Sequence, residues 1–338
     1  MASARDIRLR IRSVQSIFKI TNAMEMIAAS RLRRAQERAA TSFPYGVTVV
    51  RTISSMIASC NDIVDHPFLA KRTPERVAFV VLSSDKGLAG AYNSNLFKEV
   101  LKHIATAEEE LAKFNAPEAR MTKFGGRRIK RSAGTTQRAD RKIAGGEFLD
   151  DAIAKLSEKS RSAEVCLFTV GKKATQYFKK RNYNVLREYT GFSERPTFSD
   201  ASRIARDVIE GYLAELYDEV YVVATRFHSP VRTNPLTIQV LPVEIRNDVG
   251  DVEHNMIFTP DSQSVFEYLM PRYVEVLLFT ALTQSSASEL GSRMTAMGAA
   301  TDNAKELITE LVLNYNKVRQ AAITNELAEI VSGAEALK

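Results

Sequence analysis

Apolar residues near both ends of this 338-residue chain recur in steps of four and three, the spacing of one face of a helix. The C-terminal row is Leu290, Met294, Met297, Ala304, Ile308, Leu311, Tyr315, Val318 and Ala322, with Thr301 as its one polar member. The N-terminal row is Ile7, Ile11, Val14, Phe18, Thr21, Ala28, Leu32, Ala35 and Ala39, with Glu25 in the remaining place. A sustained seven-residue period predicts a left-handed coiled coil.

The two helices are predicted to differ in length. The first is expected from Ala4 to Thr41, with Pro44 kinking or interrupting it and helical spacing resuming from Val47. The last is expected from Arg272, just after Pro271, to Val331. At 1.5 Å per residue they would measure about 57 Å and about 90 Å.

This difference in length predicts an unpaired end. Two helices of one chain with a compact domain between them would pair antiparallel, so part of the longer one projects alone. Something outside the chain must then cover its apolar stripe. A second apolar row on the first helix (Ile17, Ile20, Met24 and Ile27) also indicates coverage on more than one side.

The middle of the chain alternates between short apolar runs and amphipathic stretches. The runs include RVAFVVLSS (76–84), VCLFTVG (165–171), EVYVVATRF (219–227) and LTIQVLPVE (236–244). This alternation predicts a Rossmann-like α/β domain with a mostly parallel sheet. The expected organisation is an N-terminal coiled-coil helix (1–59), a central α/β domain (76–261) and a C-terminal coiled-coil helix (262–338).

The formal net charge of +7 is concentrated in one segment. Residues 120–142 contain nine Lys or Arg against one Asp, so the rest of the chain is nearly neutral. We interpret residues 102–164 as a flexible inserted loop around this segment. Contact with nucleic acid or acidic lipid is an alternative, although the segment lacks the interleaved aromatic residues typical of nucleic-acid binding.

Motifs that would indicate catalysis are missing from the sequence. There is no GxxxxGK[ST], GxGxxG, HExxH or GxSxG pattern, and the four His residues show no metal-ligand spacing. Gly87 and Gly90 follow the first strand and could cradle a phosphate, but a tight strand-to-helix connection is the simpler interpretation. We therefore expect no catalytic, cofactor or metal site. No stretch reaches the roughly 18 apolar residues of a membrane span.

Three separated blocks resemble the gamma subunit of F-type ATP synthase, in its bacterial form. They are IRSVQSIFKITNAMEMIAASRLRRAQ (11–36), SSDKGLAGAYNSNLF (83–97) and the run that begins ASELGSRMTAMGAATDNAKEL and ends at Leu337 (287–337). The resemblance implies a non-catalytic central rotor shaft, one copy per complex, inside a head (CF(1)) of three alpha and three beta subunits. Its base would meet the epsilon subunit and the c-subunit ring.

The resemblance also implies a function and a location. The shaft would couple rotation of the c ring, driven by proton translocation, to conformational cycling of three catalytic sites on beta subunits, in ATP synthesis and hydrolysis. The chain would be a peripheral membrane protein on the cytoplasmic face of the cell membrane, touching the membrane only through the c ring. It would bind no nucleic acid.

Partner contacts carry over from the same resemblance. Arg319, Gln320 and Thr324 in RQAAIT match an upper contact with the beta subunits, where Arg319 would bind carboxylates. Met24 and Lys86 match positions near an acidic loop of beta; the alternatives are a core methionine and a turn lysine. Two weaker candidates are the basic turn at 31–34, which could face solvent instead, and 254–261, near epsilon and the c ring.

Two other functions remain open from the sequence. One is a nucleotide-binding enzyme of doubly wound type that uses its long helices to dimerise. The other is a coiled-coil tether that binds nucleic acid through residues 120–142.

Overall fold

A computed structural model describes residues 4–59, 66–70, 72–115, 147–157, 164–243, 259 and 261–336. Its elements, in chain order, are α1 (Ala4–Ser59), β1 (Val77–Leu82), α2 (Tyr92–Asn115), α3 (Glu147–Ser157), β2 (Val165–Val170), α4 (Lys172–Lys179), β3 (Asn184–Tyr189), α5 (Phe198–Leu213), β4 (Glu219–Phe227), β5 (Thr233–Leu241) and α6 (Ser262–Ala336).

Helices α1 and α6 pack against each other in antiparallel orientation. At one end, Ile7 and Val14 of α1 form a buried apolar cluster with Ala304 and Leu311 of α6. Nearer the sheet, a second cluster joins residues of α1 and α6 that face each other across the same seam: Leu32, Ala35, Ala287 and Leu290. The predicted pairing of the terminal helices is therefore confirmed, and the residues of both predicted rows form the seam, apart from Ala322, which is exposed.

Both helices are longer than the sequence pattern indicated. Pro44 lies inside α1 and does not end it, and α6 begins at Ser262, so Pro271 lies inside it as well. A proline removes one backbone hydrogen bond. Here the turns that follow Pro44 in α1 and the turns that precede Pro271 in α6 bury large side chains in the main core, among them Ile53 and Phe266. That burial offsets the lost bond, which spacing alone could not reveal.

The central domain is a five-stranded sheet with strand order β3-β2-β1-β4-β5. Strands β1 to β4 are parallel to one another, and β5 pairs antiparallel with β4. All six residues of β1 are buried, as expected for a central strand covered on both faces. The α/β class with a mostly parallel sheet is confirmed.

Helices cover both faces of the sheet. One face packs against α2 and α4, and the other against α3, α5 and the lower parts of α1 and α6. The sheet-domain ends of α1 and α6 are thus part of the larger of the two hydrophobic cores, one on each face of the sheet. Helix α5 starts with a capping box, in which Thr197 and Asp200 satisfy each other's backbone N–H groups.

The region predicted as an inserted loop contains helix at both of its ends. Helix α2 continues to Asn115, and α3 occupies Glu147–Ser157. Buried side chains on these helices, such as Leu111 and Phe148, pack onto the two faces of the sheet. The basic segment 120–142 lies outside the described residues.

Candidate partner-binding surface of the coiled coil and its neck

The end of α6 extends past the end of its partner helix. The last α6 residues packed against α1 are Tyr315 and Val318. Every side chain from Arg319 to Ser332 is exposed, including those of Ile323, Leu327, Ile330 and Val331. A row of large apolar side chains on a solitary helix indicates a surface that another molecule covers.

Three of the residues assigned to partner contacts lie on this projecting end. Arg319 and Gln320 are exposed just beyond the coiled coil, and Thr324 follows one turn later, its hydroxyl donating to the carbonyl of Gln320 at 2.9 Å. The structure thus leaves their side chains available. Whether they contact a partner stays a prediction.

The second apolar row on α1 is also uncovered. Ile17, Ile20 and Ile27 are 50–59% exposed, and Met24 beside them is half-buried. Helix α6 therefore covers only the first row. Met24 is partly buried, so its exposure is intermediate between that of the seam residues and that of the surface residues. Among the residues that the structure describes, the wide apolar face of α1 is covered on one side only.

The neck, where the coiled coil leaves the sheet domain, carries a cluster of ion pairs around Glu194. Its carboxylate is within 3.0 Å of the Lys86 ammonium, pairs with Arg31 of α1, and lies 3.5 Å from Arg293 of α6. Burial alone would raise the pKa of Glu194, but these cations, led by Lys86, hold it below its ordinary value. Lys86 is thus paired, although its side chain remains 65% exposed.

A second ion pair lies beneath this cluster, inside α6. Arg293 donates to Glu289 at 2.6 Å, and both side chains are buried. Burial raises the pKa of Glu289 to about 7 despite the opposing charge of Arg293. Arg293 also reaches the carbonyl of Gly87 at 3.4 Å, so the pair connects α6 with the loop after β1.

The loop after β1 is not arranged as a phosphate cradle. The carboxylate of Asp85 accepts hydrogen bonds from the backbone N–H groups of Lys172 at the start of α4 (3.1 Å), Gly191 (3.0 Å) and Ser193 (3.3 Å). An anion of the chain itself thus occupies the place that a bound phosphate would take. Gly90, at φ +54, lies where a Cβ would be 3.4 Å from Ala296 of α6. The two glycines therefore belong to a tight connection packed against α6.

The remaining candidates have ordinary surroundings or lie partly outside the described residues. Arg33 and Arg34 are exposed, and Arg33 pairs loosely with Glu37 at 3.6 Å. In the segment 254–261 only residues 259 and 261 are described, and Asp261 caps α6 by accepting from the N–H of Ser264 at 2.8 Å. The described residues contain no cluster of potential metal ligands, and none of their helices is long and apolar enough to cross a membrane.

Comparison with known proteins settles the family. The sequence model described as ATP synthase matches residues 3–144 and 135–337. The chain is 35% identical over 338 residues to the ATP synthase gamma chain of Desulfitobacterium hafniense, with the whole of both chains covered. It belongs to the ATP synthase gamma chain family. The gamma chain of Anaeromyxobacter dehalogenans is 36% identical over 340 residues, again with full coverage of both.

Solved structures agree at the level of the fold. This gamma-family chain is similar to a chain of the Tetrahymena thermophila mitochondrial ATP synthase central stalk and c-ring structure, with a TM-score of 0.54 at 20% identity, covering 83% of this chain and 99% of that one. For a chain of the Euglena gracilis OSCP, F1 and c-ring structure the TM-score is 0.57 at 16% identity, with 99% and 94% covered. The resemblance drawn from the three sequence blocks is confirmed.

The ion-pair cluster at the neck was missed by the sequence analysis. Glu289 and Arg293 stand four residues apart, the spacing at which side chains meet on one helix, so that pair had a local signal. Glu194 had none. It follows β3 in an irregular turn, and its three cationic neighbours come from parts of the chain that only the fold brings together.

Proposed function

We propose that this chain is the central shaft of an F-type ATP synthase, with its coiled coil inside the head of alternating alpha and beta subunits. The observation that carries the proposal is the end of α6 beyond Val318, which is helical, apolar on one side and not covered by any of the described residues. An apolar sleeve formed by the head would cover it. The uncovered row on α1, with Ile17, Ile20 and Ile27, would face the same sleeve.

The proposed coupling follows from symmetry. Three identical catalytic sites in a ring have no reason to differ, but a single shaft without threefold symmetry presents a different surface to each. A given shaft angle can favour the open or closed state of a site only through a difference in contact energy between the two states. Turning the shaft then cycles the three affinities, and linkage makes the binding effect reciprocal.

The sheet domain would form the base of the shaft. In this proposal it contacts the epsilon subunit and the c-subunit ring, so that proton-driven rotation of the ring turns the shaft and drives ATP release. ATP hydrolysis drives the reverse. The chain would be peripheral, at the cytoplasmic face of the cell membrane, and would itself hold no catalytic residue. The chemistry would belong to the beta subunits.

Contacts with the beta subunits are proposed at two levels along the coiled coil. Arg319, Gln320 and Thr324 would meet them at the projecting end, where the guanidinium of Arg319 suits a carboxylate. Lys86 at the neck and Met24 on α1 would lie near an acidic loop of beta. The 65% exposure of the Lys86 side chain, in spite of its ion pair, supports this assignment.

A double substitution tests the proposal in the assembled complex. Arg319→Ala with Gln320→Ala should lower ATP hydrolysis and synthesis while leaving the chain folded, because both side chains are exposed. Lys98→Ala, at an exposed position on α2, is the control substitution and should leave turnover unchanged. Unchanged turnover in the double variant, with its incorporation into the complex verified, would count against the shaft assignment.

The nucleotide-binding alternative has a direct test. Asp85 fills the anion position at the start of α4, so the isolated chain should show no saturable binding of ATP or ADP. Saturable binding would favour the enzyme. The nucleic-acid alternative depends on residues 120–142, and salt-dependent duplex binding that is lost on deleting them would support it.

A further inference from the structure

Glu194 binds cationic side chains from three separate parts of the chain. Lys86 comes from the loop after β1, Arg31 from α1, and Arg293 from α6. The carboxylate is largely buried, with its side chain 17% exposed. One acid thus connects the sheet domain to both helices of the coiled coil.

The three cations do not depend on Glu194 equally. Arg293 is buried and has its own carboxylate, Glu289, at the shorter distance of 2.6 Å. Lys86 and Arg31 are 65% and 39% exposed and have only Glu194 among the carboxylates of the described residues. A free lysine or arginine side chain samples many rotamers, and an ion pair restricts them. Glu194 therefore determines where these two charges lie.

The position of Glu194 is itself fixed by other groups. Its carbonyl accepts from the hydroxyl of Ser286 on α6 at 3.0 Å. The neighbouring Ser193 is bonded to Asp85 twice, through its backbone N–H and through its hydroxyl, which accepts from the Asp85 N–H at 3.1 Å. The turn is thus anchored to the sheet domain and to the shaft without help from Lys86 or Arg31. Loss of the carboxylate should leave this backbone in place.

We propose that Glu194 is a positioning residue that holds the Lys86 ammonium and the Arg31 guanidinium side by side at one fixed angle on the shaft, facing an acidic segment of the catalytic subunits. This inference rests on the proposed function. A shaft acts through contact energy that depends on its angle, and two mobile cations would spread that energy over many angles. Two anchored cations concentrate the contact energy at one angle of the shaft.

Chemical labelling of the full-length chain tests the positioning directly. With a limiting amine-reactive reagent, the Lys86 labelling rate should rise about two- to five-fold in Glu194→Gln, the factor expected from losing an exposed ion pair. Exposed Lys19 on α1 is the internal control and should not change. Glu194→Asp keeps a carboxylate on a shorter side chain, so its Lys86 labelling rate should lie between those of the wild type and Glu194→Gln. An unchanged Lys86 rate in Glu194→Gln would overturn the proposal.

Turnover in the assembled complex tests the consequence. Glu194→Gln should lower the rate of ATP-driven proton pumping, and it should have almost no further effect in a Lys86→Ala, Arg31→Ala background. Glu194→Gln with faster Lys86 labelling but unchanged pumping, or with an equal effect in that background, would overturn the positioning role. The Arg319→Ala, Gln320→Ala variant judges the shaft assignment separately, because its side chains lie far along α6 from the neck.

Discussion

The hydroxyl of Thr301 in α6 donates to the hydroxyl of Thr21 in α1 over 3.0 Å, although 280 residues separate them. This contact fixes the register of the two helices. Toward the base, Ser42 meets Thr283 at 3.1 Å, and toward the far end Arg8 bonds the hydroxyl of Tyr315. The described part of α1 begins at Ala4. In this register α1 therefore does not reach the part of α6 beyond Val318.

The two apolar rows on α1 should respond differently to truncation. Leu32 is buried in the seam beside Ala35, Ala287 and Leu290, so Leu32→Ala should lower the free energy of unfolding by about 2–4 kcal/mol. Ile27 is 52% exposed, so Ile27→Ala should change it by no more than about 0.5 kcal/mol. Urea unfolding of the isolated chain, followed by circular dichroism, measures both.

In the complex the exposed row should matter. If the head covers Ile27, Ile27→Ala should weaken association of the shaft with alpha and beta subunits, in spite of its small effect on the chain alone. Equal losses of stability for the two variants in the isolated chain would mean that the seam is not where the structure places it.

Two glycines inside α6 form a second matched pair. Alanine gains about 1 kcal/mol over glycine inside a helix. At Gly298 the new Cβ would lie 3.2 Å from a carboxylate oxygen of Glu25, the movable end of a flexible side chain. At Gly291 it would lie 3.2 Å from the ring of Phe227 and 3.2 Å from the backbone Cα of Pro230.

Gly298→Ala should therefore raise the free energy of unfolding by up to about 1 kcal/mol, whereas Gly291→Ala should lower it by about 1–3 kcal/mol through overpacking. The same urea titrations give both values. A stabilising Gly291→Ala would show that the hairpin between β4 and β5 does not pack against α6 as described.

The buried Glu289 makes stability depend on pH in a definite direction. Its folded pKa of about 7 is above the ordinary 4.5, so the folded chain keeps a proton there that the unfolded chain has lost. Stability from this group is thus present at low pH and falls as pH rises from about 4.5 to 7, by at most about 3 kcal/mol. Glu194, with its lowered pKa, acts oppositely and only at more acidic pH.

Unfolding free energies at pH 5, 6, 7 and 8 check this sign. The wild-type chain should lose stability relative to Glu289→Gln as pH rises, because glutamine does not titrate. Parallel pH profiles for the two chains, or a relative gain by the wild type, would contradict a raised pKa for Glu289.

The sequence predicted the parts of the fold that repeat. The seven-residue rows identified the seam between α1 and α6, and the buried apolar runs identified the strands of a mostly parallel sheet. Each of these signals lies within one element. Its period depends only on the geometry of a helix or a strand.

Features that depend on tertiary packing could not be predicted in this way. Pro44 and Pro271 looked like helix ends because their local cost is real, yet burial of side chains such as Ile53 and Phe266 outweighs it. Glu194 and Asp85 act through groups distant in sequence, so no spacing marked them. Three quoted blocks still sufficed for the family, since their order and separation are specific.

Native mass spectrometry of the complex isolated through a tag on this chain tests the central claim most directly. A single shaft inside a six-membered head predicts one copy of this chain with three alpha and three beta subunits. Recovery of the chain alone, or with as many copies of itself as of beta, would contradict the account. In neither case would one asymmetric shaft contact the three catalytic sites of the beta subunits.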